Sequence, residues 1–147
     1  MKKLNFPDFQ FKIKKENNNN VIFDEIRKKW IVLTPEEWVR QNFIKYLISK
    51  NYPESLINCE KSFYINKVLK RYDIVVYDIN GNVSILVECK SPNINVIKEH
   101  FEQVMRYNIE LKSEMIIVTN GLNHFYFKLD KNKNQYIQEK DLKSHNK

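Results

Sequence analysis

Apolar and polar residues follow two different periods along this chain, and these periods divide it into candidate strands and helices. Residues 9–14 alternate between the two classes, which is the pattern of a half-buried strand. Residues 17–20 form a polar break, and short apolar runs follow at 21–23 and 30–33. These segments predict a small N-terminal sheet.

The sequence Thr-Pro-Glu-Glu at residues 34–37 has the features of a helix start. Thr34 can cap the helix, a proline occupies the first helical position, and Glu37 can complete a capping box. The apolar stripe of this helix consists of Val39, Phe43 and Leu47. On the helical wheel Glu36 lies at the centre of the stripe, whereas Glu37 points to solvent. A carboxylate on the inward face needs a partner, which makes Glu36 a candidate site residue.

The rest of the chain predicts a mixed α/β domain. Strands are expected at 58–65, 71–77, 83–90, 115–119 and 125–127, and a second helix at 95–112. The order is therefore one helix, three strands, one helix and two strands, behind the N-terminal strand segment. We divide the chain into an N-terminal arm (1–20), a main domain (21–130) and a polar, lysine-rich tail (131–147) that we expect to be loosely held.

A hairpin connects two of the predicted strands, and Asn80-Gly81 is its turn signal. If these two residues form the loop, the numbers of opposed residues sum to 161, so Asp73 lies opposite Glu88. Lys90 shares their face, because side chains repeat every two residues along a strand. The other face is apolar and holds Ile74, Val76, Ile85, Val87 and Cys89. We therefore expect one face to pack in the core and the other to carry two acids and a lysine.

Two carboxylates directly opposite each other destabilise a strand pair and raise each other's affinity for protons. A divalent cation would relieve both effects, and Mg²⁺ commonly takes one or two carboxylates together with waters and a substrate phosphate. A lysine beside the cation can position or deprotonate a water molecule. This combination is typical of metal-assisted phosphodiester hydrolysis. The alternative is a surface cluster in which Lys90 bridges the two acids, and the hairpin alone leaves both interpretations open.

The composition suits a nucleic-acid partner and argues against several other classes of protein. The 147 residues indicate one domain, and 25 Lys and Arg against 18 Asp and Glu give a net charge of +7, which suits a polyanion. Cys59 and Cys89 are far apart, and with three histidines they do not indicate a zinc site. There is no signal peptide and no apolar stretch of about 18 residues, so we expect a cytoplasmic protein without membrane contact.

Five short stretches occur in a characteristic order, at 34–41, 71–77, 86–92, 103–108 and 119–121. Within them, Asp73 is followed after fourteen residues by Glu88-Cys89-Lys90. Over about residues 21–130 the chain resembles the PD-(D/E)XK nuclease superfamily, and most closely the N-terminal nuclease domain of type I restriction enzyme R subunits. One departure is Tyr72, which stands in place of the proline in the superfamily's name, a residue that is often absent from its members.

The resemblance implies a restriction-endonuclease-like fold, a mixed sheet flanked by helices with the core order αβββαβ. It also implies an endonuclease that hydrolyses DNA phosphodiester bonds with Mg²⁺, for which Mn²⁺ can substitute. Asp73 and Glu88 would then ligate the metal, with the backbone carbonyl of Cys89 as a third ligand. Lys90 would orient or activate the attacking water. Glu36 would match a helix acid that binds the metal directly or through water.

Four further positions flank this predicted site. Gln103 and Tyr107 stand at i and i+4 on one helix face and resemble the QxxxY motif of related nucleases. By that resemblance they would brace the site or contact DNA. Arg40 and Arg106 lie on the two predicted helices beside the site, and each is a candidate for phosphate contact or for pairing with a carboxylate.

The length of the chain limits the resemblance. R subunits append motor domains that translocate DNA, and these 147 residues contain no GxxxxGK[ST] site for ATP. We therefore expect a nuclease part that acts on DNA alone or with other restriction-system or motor subunits. Two alternatives stay open: a non-catalytic nucleic-acid-binding or assembly module that retains the fold, and a domain left from a decayed gene. The lysines within 12–15 and 28–29 could contact phosphates or form solvated faces.

Overall fold

The computed structural model describes residues 1–146, which form two sheets and two long helices. The N-terminal sheet is antiparallel and consists of β1 (Ile13–Glu16), β2 (Asn19–Asp24) and β3 (Lys29–Val32). The main sheet has six strands in sequential order: β4 (Ile57–Ile65), β5 (Val68–Tyr77), β6 (Val83–Cys89), β7 (Met115–Thr119), β8 (His124–Asp130) and β9 (Gln135–Glu139). Helix α1 (Pro35–Ser49) connects the two sheets along the chain, and helix α2 (Lys98–Leu111) joins β6 to β7.

The predicted fold class is confirmed. The core order is α1, β4, β5, β6, α2 and β7, as the resemblance implied, and the small N-terminal sheet is present. Strands β6 and β7 pair in parallel because a helix crosses between them, whereas the other neighbouring strands are antiparallel. None of the helices within residues 1–146 is long and apolar enough to cross a membrane.

Both faces of the main sheet are covered by apolar side chains. On one face Val39, Phe43 and Leu47 of α1 share a core with Ile74, Val76, Ile85 and Val87. On the other face Val104 of α2 packs with Val75, Leu86, Ile116 and Val118. The expectation of one core face and one charged face is therefore wrong for most of the hairpin. A central strand with a helix on each side is apolar at odd and even positions alike, and only its end is available for charged groups.

The hairpin loop differs from the prediction, although the register at the site does not. The N–H of Asp78 donates to the carbonyl of Asn82 at 2.9 Å, so the loop has three residues, with Gly81 in the left-handed region at a φ of 83°. The predicted two-residue loop is thus wrong by one position. An irregularity beside Ser84 adds one residue to β6, and the pair Ile74↔Val87 then has the predicted register.

The ends of the chain are more tightly held than the division into arm, domain and tail implied. Residues 13–16 pair with β2, so the predicted arm forms part of the N-terminal sheet. Within the predicted tail, Gln135–Glu139 form β9 on the edge of the main sheet, and Leu142 is 1% exposed. Strand β9 and the buried Leu142 differ from the expectation of a loosely held tail, whereas residues 131–134 form an exposed turn. Lys147, the last residue of that predicted tail, lies outside the described residues.

Candidate active site

The ladder between β5 and β6 stops at the pair Ile74↔Val87, and a side chain takes over beyond it. The backbone N–H of Cys89 donates to Oδ2 of Asp73 at 2.7 Å. The carboxylate of Asp73 therefore stands where the next ladder bond would form. Continued by one step, the register places Asp73 beside Glu88, which is the predicted juxtaposition.

The alternation of side chains breaks at Asp73. Ile74 packs in the core under α1, and Asp73 contacts Arg40 of the same helix, with Nη2 of Arg40 at 3.0 Å from its Oδ1. Tyr72 and Val75 instead pack on the α2 side of the sheet. The strict alternation that put Asp73 on the same face as Lys90 is therefore wrong at this point. We call the end of the β5–β6 ladder, with Asp73 on β5 and Glu88 and Cys89 on β6, the opening. Within it, Asp73 contacts Arg40 on one side and the Cys89 amide on the other.

Arg40 contacts several carboxylates besides that of Asp73. Its side chain is 7% exposed, and its Nη1 donates to Glu37 and to Glu60 at 3.2 Å each. A carboxylate oxygen of Glu36 lies 3.9 Å from Nη2. Burial opposes the charged form of Arg40, but the carboxylates of Glu37 and Asp73 outweigh burial and raise the pKa of the guanidinium. Of the two sequence-based alternatives for Arg40, the structure shows the pairing with carboxylates.

A second arginine extends these contacts to the N-terminal sheet. Arg27 follows β2 and bonds to Asp24, which has no exposed surface. Arg27 also lies 2.9 Å from Glu37 and 3.3 Å from Glu60. We call the continuous set the charge network; its members are Asp24, Arg27, Glu37, Arg40, Gln41, Glu60 and Asp73. It joins the turn after β2 to the end of the β5–β6 ladder.

The predicted orientations of the two acids at the start of α1 are reversed. Thr34 caps the helix as expected, and its Oγ1 accepts from the N–H of Glu37 at 3.1 Å. The carboxylate of Glu37, however, is 8% exposed and pairs with Arg27 and Arg40, whereas that of Glu36 is 46% exposed. The helical wheel was misleading because the partner that makes burial of Glu37 favourable comes from the N-terminal sheet. Glu36 still lines an open cleft with Arg40, and burial and the charge of Asp73 raise its pKa.

Glu88 is the most unusual acid of the site. It is 8% exposed, and its Oε1 is buried with no hydrogen-bond partner among the described residues. Burial and then the charge of Asp73 raise the pKa of Glu88 to about 7, although Lys70 and Lys90 act in the opposite direction. A buried carboxylate oxygen without a donor is unfavourable in the ionised form, and a bound cation would stabilise it.

The remaining predicted residues are only partly brought together. Lys90 and Gln103 line a small cavity of about 60 Å³ with Glu88. Tyr107 packs near them on α2, and its ring lies 5.3 Å from the ammonium of Lys70. Arg106 does not join the acids: it lines a groove between α2 and the β8–β9 edge of the main sheet, beside Met105 and Tyr136. The side chain of Cys89 faces the α1 core, as its strand position implied.

Sequence reasoning missed several residues of this region, which are Arg27, Glu60, Lys70 and His100. His100 stands three positions before Gln103 on α2, and this spacing could have identified it. Glu60 lies at an irregular position of β4, with a φ of 54°, between the pairs that flank Asp73. No local pattern identifies Arg27, because it reaches the site only through the packing of the N-terminal sheet.

The residues of the opening fit a Mg²⁺ ion held by few protein ligands. Within residues 1–146 no group of three or more histidine, cysteine, aspartate or glutamate side chains is arranged to hold a metal. Mg²⁺ does not need such a cage, since it commonly keeps several waters and takes one or two carboxylates plus substrate phosphate. Asp73 and Glu88 provide two carboxylates, and the unpartnered Oε1 of Glu88 is a suitable ligand atom.

Comparison with known proteins identifies the family. A model of the type I restriction enzyme R protein N terminus matches residues 35–142. The chain belongs to this family. The resemblance noted in the sequence is thereby confirmed, and the match begins at the first residue of α1, after the N-terminal sheet.

This R protein N-terminal domain was also compared with solved structures and with curated proteins. It is similar to a DUF820 protein from Anabaena variabilis, whose crystal structure is described as that of a candidate nuclease. The two share 13% identity with a TM-score of 0.49, over 86% of this chain and 78% of the other. The search of curated proteins finds no match.

Proposed function

We propose that this domain is a Mg²⁺-dependent endonuclease that hydrolyses DNA phosphodiester bonds. The observation that carries the proposal is the pair of acids at the end of the β5–β6 ladder: Asp73 fixed between the strands, and Glu88 buried with an unpartnered oxygen. Mg²⁺ bound there would act as a Lewis acid on a scissile phosphate and lower the pKa of a bound water. Asp73 and Glu88 would hold it, with the Cys89 carbonyl as a third ligand.

The surroundings of Asp73 and of Glu88 would favour cation binding in different ways. The Cys89 amide and Arg40 each occupy one oxygen of Asp73, so its orientation is fixed before any ligand arrives. Each carboxylate oxygen has a further lone pair available for a cation. Burial and the charge of Asp73 raise the pKa of Glu88 to about 7, so Glu88 would have to release its proton to hold a cation.

Lys90 and Glu36 would complete the reaction chemistry. The Lys90 side chain lines the same cavity as Glu88. There its ammonium would orient the attacking water, or its neutral amine would accept the proton of that water. Glu36, on the cleft at the start of α1, would bind the cation directly or through water. Gln103 and Tyr107 would brace this side of the site or contact DNA. Because the family consists of R protein N termini, we propose other restriction-system or motor subunits as partners.

A second candidate function is a nucleic-acid-binding or assembly module without catalysis. It is favoured by the ion pair between Asp73 and Arg40, in which a guanidinium already neutralises one of the two acids. In that case the domain would bind DNA in a salt-dependent manner, and Mg²⁺ would weaken this binding as other salts do without cleavage of the DNA.

Cleavage of a supercoiled plasmid with Mg²⁺ or Mn²⁺ tests the proposal. The wild type should nick or linearise the plasmid, Asp73→Ala should not, and Asp8→Ala should cut as the wild type does, because Asp8 is 91% exposed and far along the chain from the opening. A wild type that cuts no better than Asp73→Ala contradicts the catalytic proposal. If both proteins then still bind DNA in EDTA, the second candidate is supported.

A further inference from the structure

One face of the N-terminal sheet carries two aromatic rings that belong to neither apolar cluster of the main sheet. Phe23 and Trp30 are directly opposed in β2 and β3, and their ring centroids are 5.4 Å apart. Trp30 is 38% exposed, and Val32, two residues further on the same face, is 51% exposed. An exposed tryptophan on an open sheet face is a surface that can stack on a flat ligand.

Two lysines stand against these rings. The ammonium of Lys14 lies 4.3 Å from the ring centroid of Trp30, and that of Lys12 lies 5.6 Å from that of Phe23. We call the five residues the platform: Lys12, Lys14, Phe23, Trp30 and Val32. Lys14 also pairs at 3.2 Å with Glu16, and both side chains are about half exposed, so this contact is easily exchanged for another.

The opposite face of the same sheet is already occupied. Ile22 and Asp24 have no exposed surface, and Asp24 belongs to the charge network that fixes the sheet to α1. The first 32 residues contain eight Lys and Arg against four Asp and Glu, which is more than half of the net charge of +7. The face that carries Trp30 is thus aromatic and lies in a basic segment, a combination that fits an anion with flat apolar groups.

We propose that the platform binds a single-stranded segment of nucleic acid, with a base stacked on Trp30 and the adjoining phosphates paired with Lys12 and Lys14. A protein partner would cover the apolar surface but would not account for ammonium groups beside both rings. A duplex would satisfy the lysines but has no exposed base face for the indole. Stacking on an aromatic ring together with backbone charge is a sequence-tolerant mode of single-strand binding.

This inference deepens the proposed function, and it rests on that function only for the link to cleavage. The ion pair of Arg27 with Glu37 ties the sheet to α1, and Arg40 ties α1 to Asp73. The sheet that would bind the nucleic acid is therefore joined through the charge network to the acids of the opening. The substrate would be DNA with an unpaired stretch, such as a fork or a duplex end with an overhang.

Fluorescence anisotropy with a labelled dT20 oligonucleotide and a 20-base-pair duplex, both in EDTA, tests the binding without cleavage. The wild type should bind dT20 more tightly than the duplex, and Trp30→Ala should weaken dT20 binding by about tenfold, since one stacked base contributes that much. Trp30→Phe should restore binding to within about threefold. For the double variant Lys12→Gln and Lys14→Gln, the slope of log K for dT20 binding against log salt concentration should be less steep by about 1.4. Each lost phosphate contact on a single strand accounts for about 0.7 of this change.

Lys131→Gln with Lys133→Gln is the matched control, because it removes the same charge from an exposed turn elsewhere. It should leave the binding of dT20 and its salt slope near the wild-type values. In a Trp38→Phe background, dT20 should also quench the fluorescence of Trp30, which reports stacking even if Trp30→Ala folds poorly. Wild-type affinity for dT20 in Trp30→Ala, equal binding of duplex and single strand, or no quenching would overturn the inference. A plasmid-cleavage failure would not affect these measurements.

Discussion

The backbone amide of Cys89 donates to the carboxylate of Asp73 at 2.7 Å, at the point where β5 and β6 stop pairing. A side chain here replaces a ladder bond, so the orientation of an acid is determined by the fold of the sheet itself. Glu88, the residue before Cys89, is the other acid of the opening, and Lys90 follows. The end of β6 and the residue after it therefore supply the amide that fixes one acid, the second acid, and the lysine.

Replacing Asp73 by asparagine should abolish metal binding while the fold is retained. The amide keeps the size of the side chain but removes the charge that would hold a cation. Loss of a group that merely supports a metal ligand already weakens binding by about 10–100-fold, so we expect at least that loss of Mn²⁺ affinity. Calorimetric titration with Mn²⁺ checks this. An unchanged affinity in Asp73→Asn would place the metal elsewhere.

The strand register next to Asp73 and Glu88 could be predicted from sequence even though the loop between their strands could not. Counting across a two-residue loop gave the correct register because two deviations of one residue cancel: the loop is longer by one, and β6 contains one extra residue beside Ser84. What constrains the register is the apolar pattern of the two strands, since a slip of one residue would exchange their faces. The strand opening at Asp73 has no such pattern, because it depends on packing against α1.

Metal binding should become tighter as the pH rises through about 7. Glu88 must lose its proton to hold a cation, and its pKa is raised to about 7 by burial and by Asp73. The affinity for Mn²⁺ should therefore increase between about pH 6 and pH 8 and level off above that range. The number of protons released per metal bound should fall from about one below pH 6 to about zero above pH 8. Calorimetry in two buffers of different ionisation enthalpy measures the proton release. A pH-independent affinity across this range would contradict the assignment of Glu88 as a ligand.

The same acid should make the metal-free protein less stable at high pH. The pKa of Glu88 is higher in the folded state, about 7, than the ordinary value of 4.5, so the folded state holds more protons between these values and loses stability as the pH rises through them. Glu88→Gln removes this effect and should be more stable than the wild type at pH 8, by about 1–3 kcal/mol, but not at pH 4.5. Urea unfolding in EDTA at both pH values decides this.

The start of α1 shows where a sequence pattern is insufficient. Glu36 and Glu37 differ by 100° on the helix, and the apolar stripe alone favoured Glu36 as the buried acid. The structure buries Glu37 because Arg27, ten residues earlier, pairs with it at 2.9 Å. Local periodicity describes one helix, whereas burial of a charge is determined by a partner from another element. The residues of the opening that carry the predicted chemistry lie on adjacent strands, and their relation was accessible from strand pairing.

Removal of the buried guanidinium should destabilise the fold strongly. Arg40→Met would leave Asp73 without its cation and Glu37 and Glu60 with Arg27 alone. Breaking a buried pair in this way commonly costs about 3–5 kcal/mol. Arg106→Met is the matched control, because Arg106 is exposed and should change stability by less than about 0.5 kcal/mol. Urea unfolding of both variants at pH 7 checks the contrast. Equal effects of the two substitutions would show that the ion pairs of Arg40 contribute nothing specific.

The N-terminal sheet should be coupled to the site through Arg27 and Glu37. Their side chains are 13% and 8% exposed and lie 2.9 Å apart, so a double-mutant cycle of Arg27→Met and Glu37→Gln should give a coupling energy of about 1–3 kcal/mol. The pair Lys98 and Glu102 on α2 lies 3.6 Å apart but is largely exposed, and the corresponding cycle should give less than about 0.5 kcal/mol. Hydrogen exchange tests how far the effect of Arg27→Met extends. Protection of the amides in β2 and β3 against exchange should fall. Protection of the Cys89 amide should fall as well, because this amide donates to Asp73 at the other end of the charge network. If protection falls in the N-terminal sheet alone, the charge network anchors that sheet without positioning the acids.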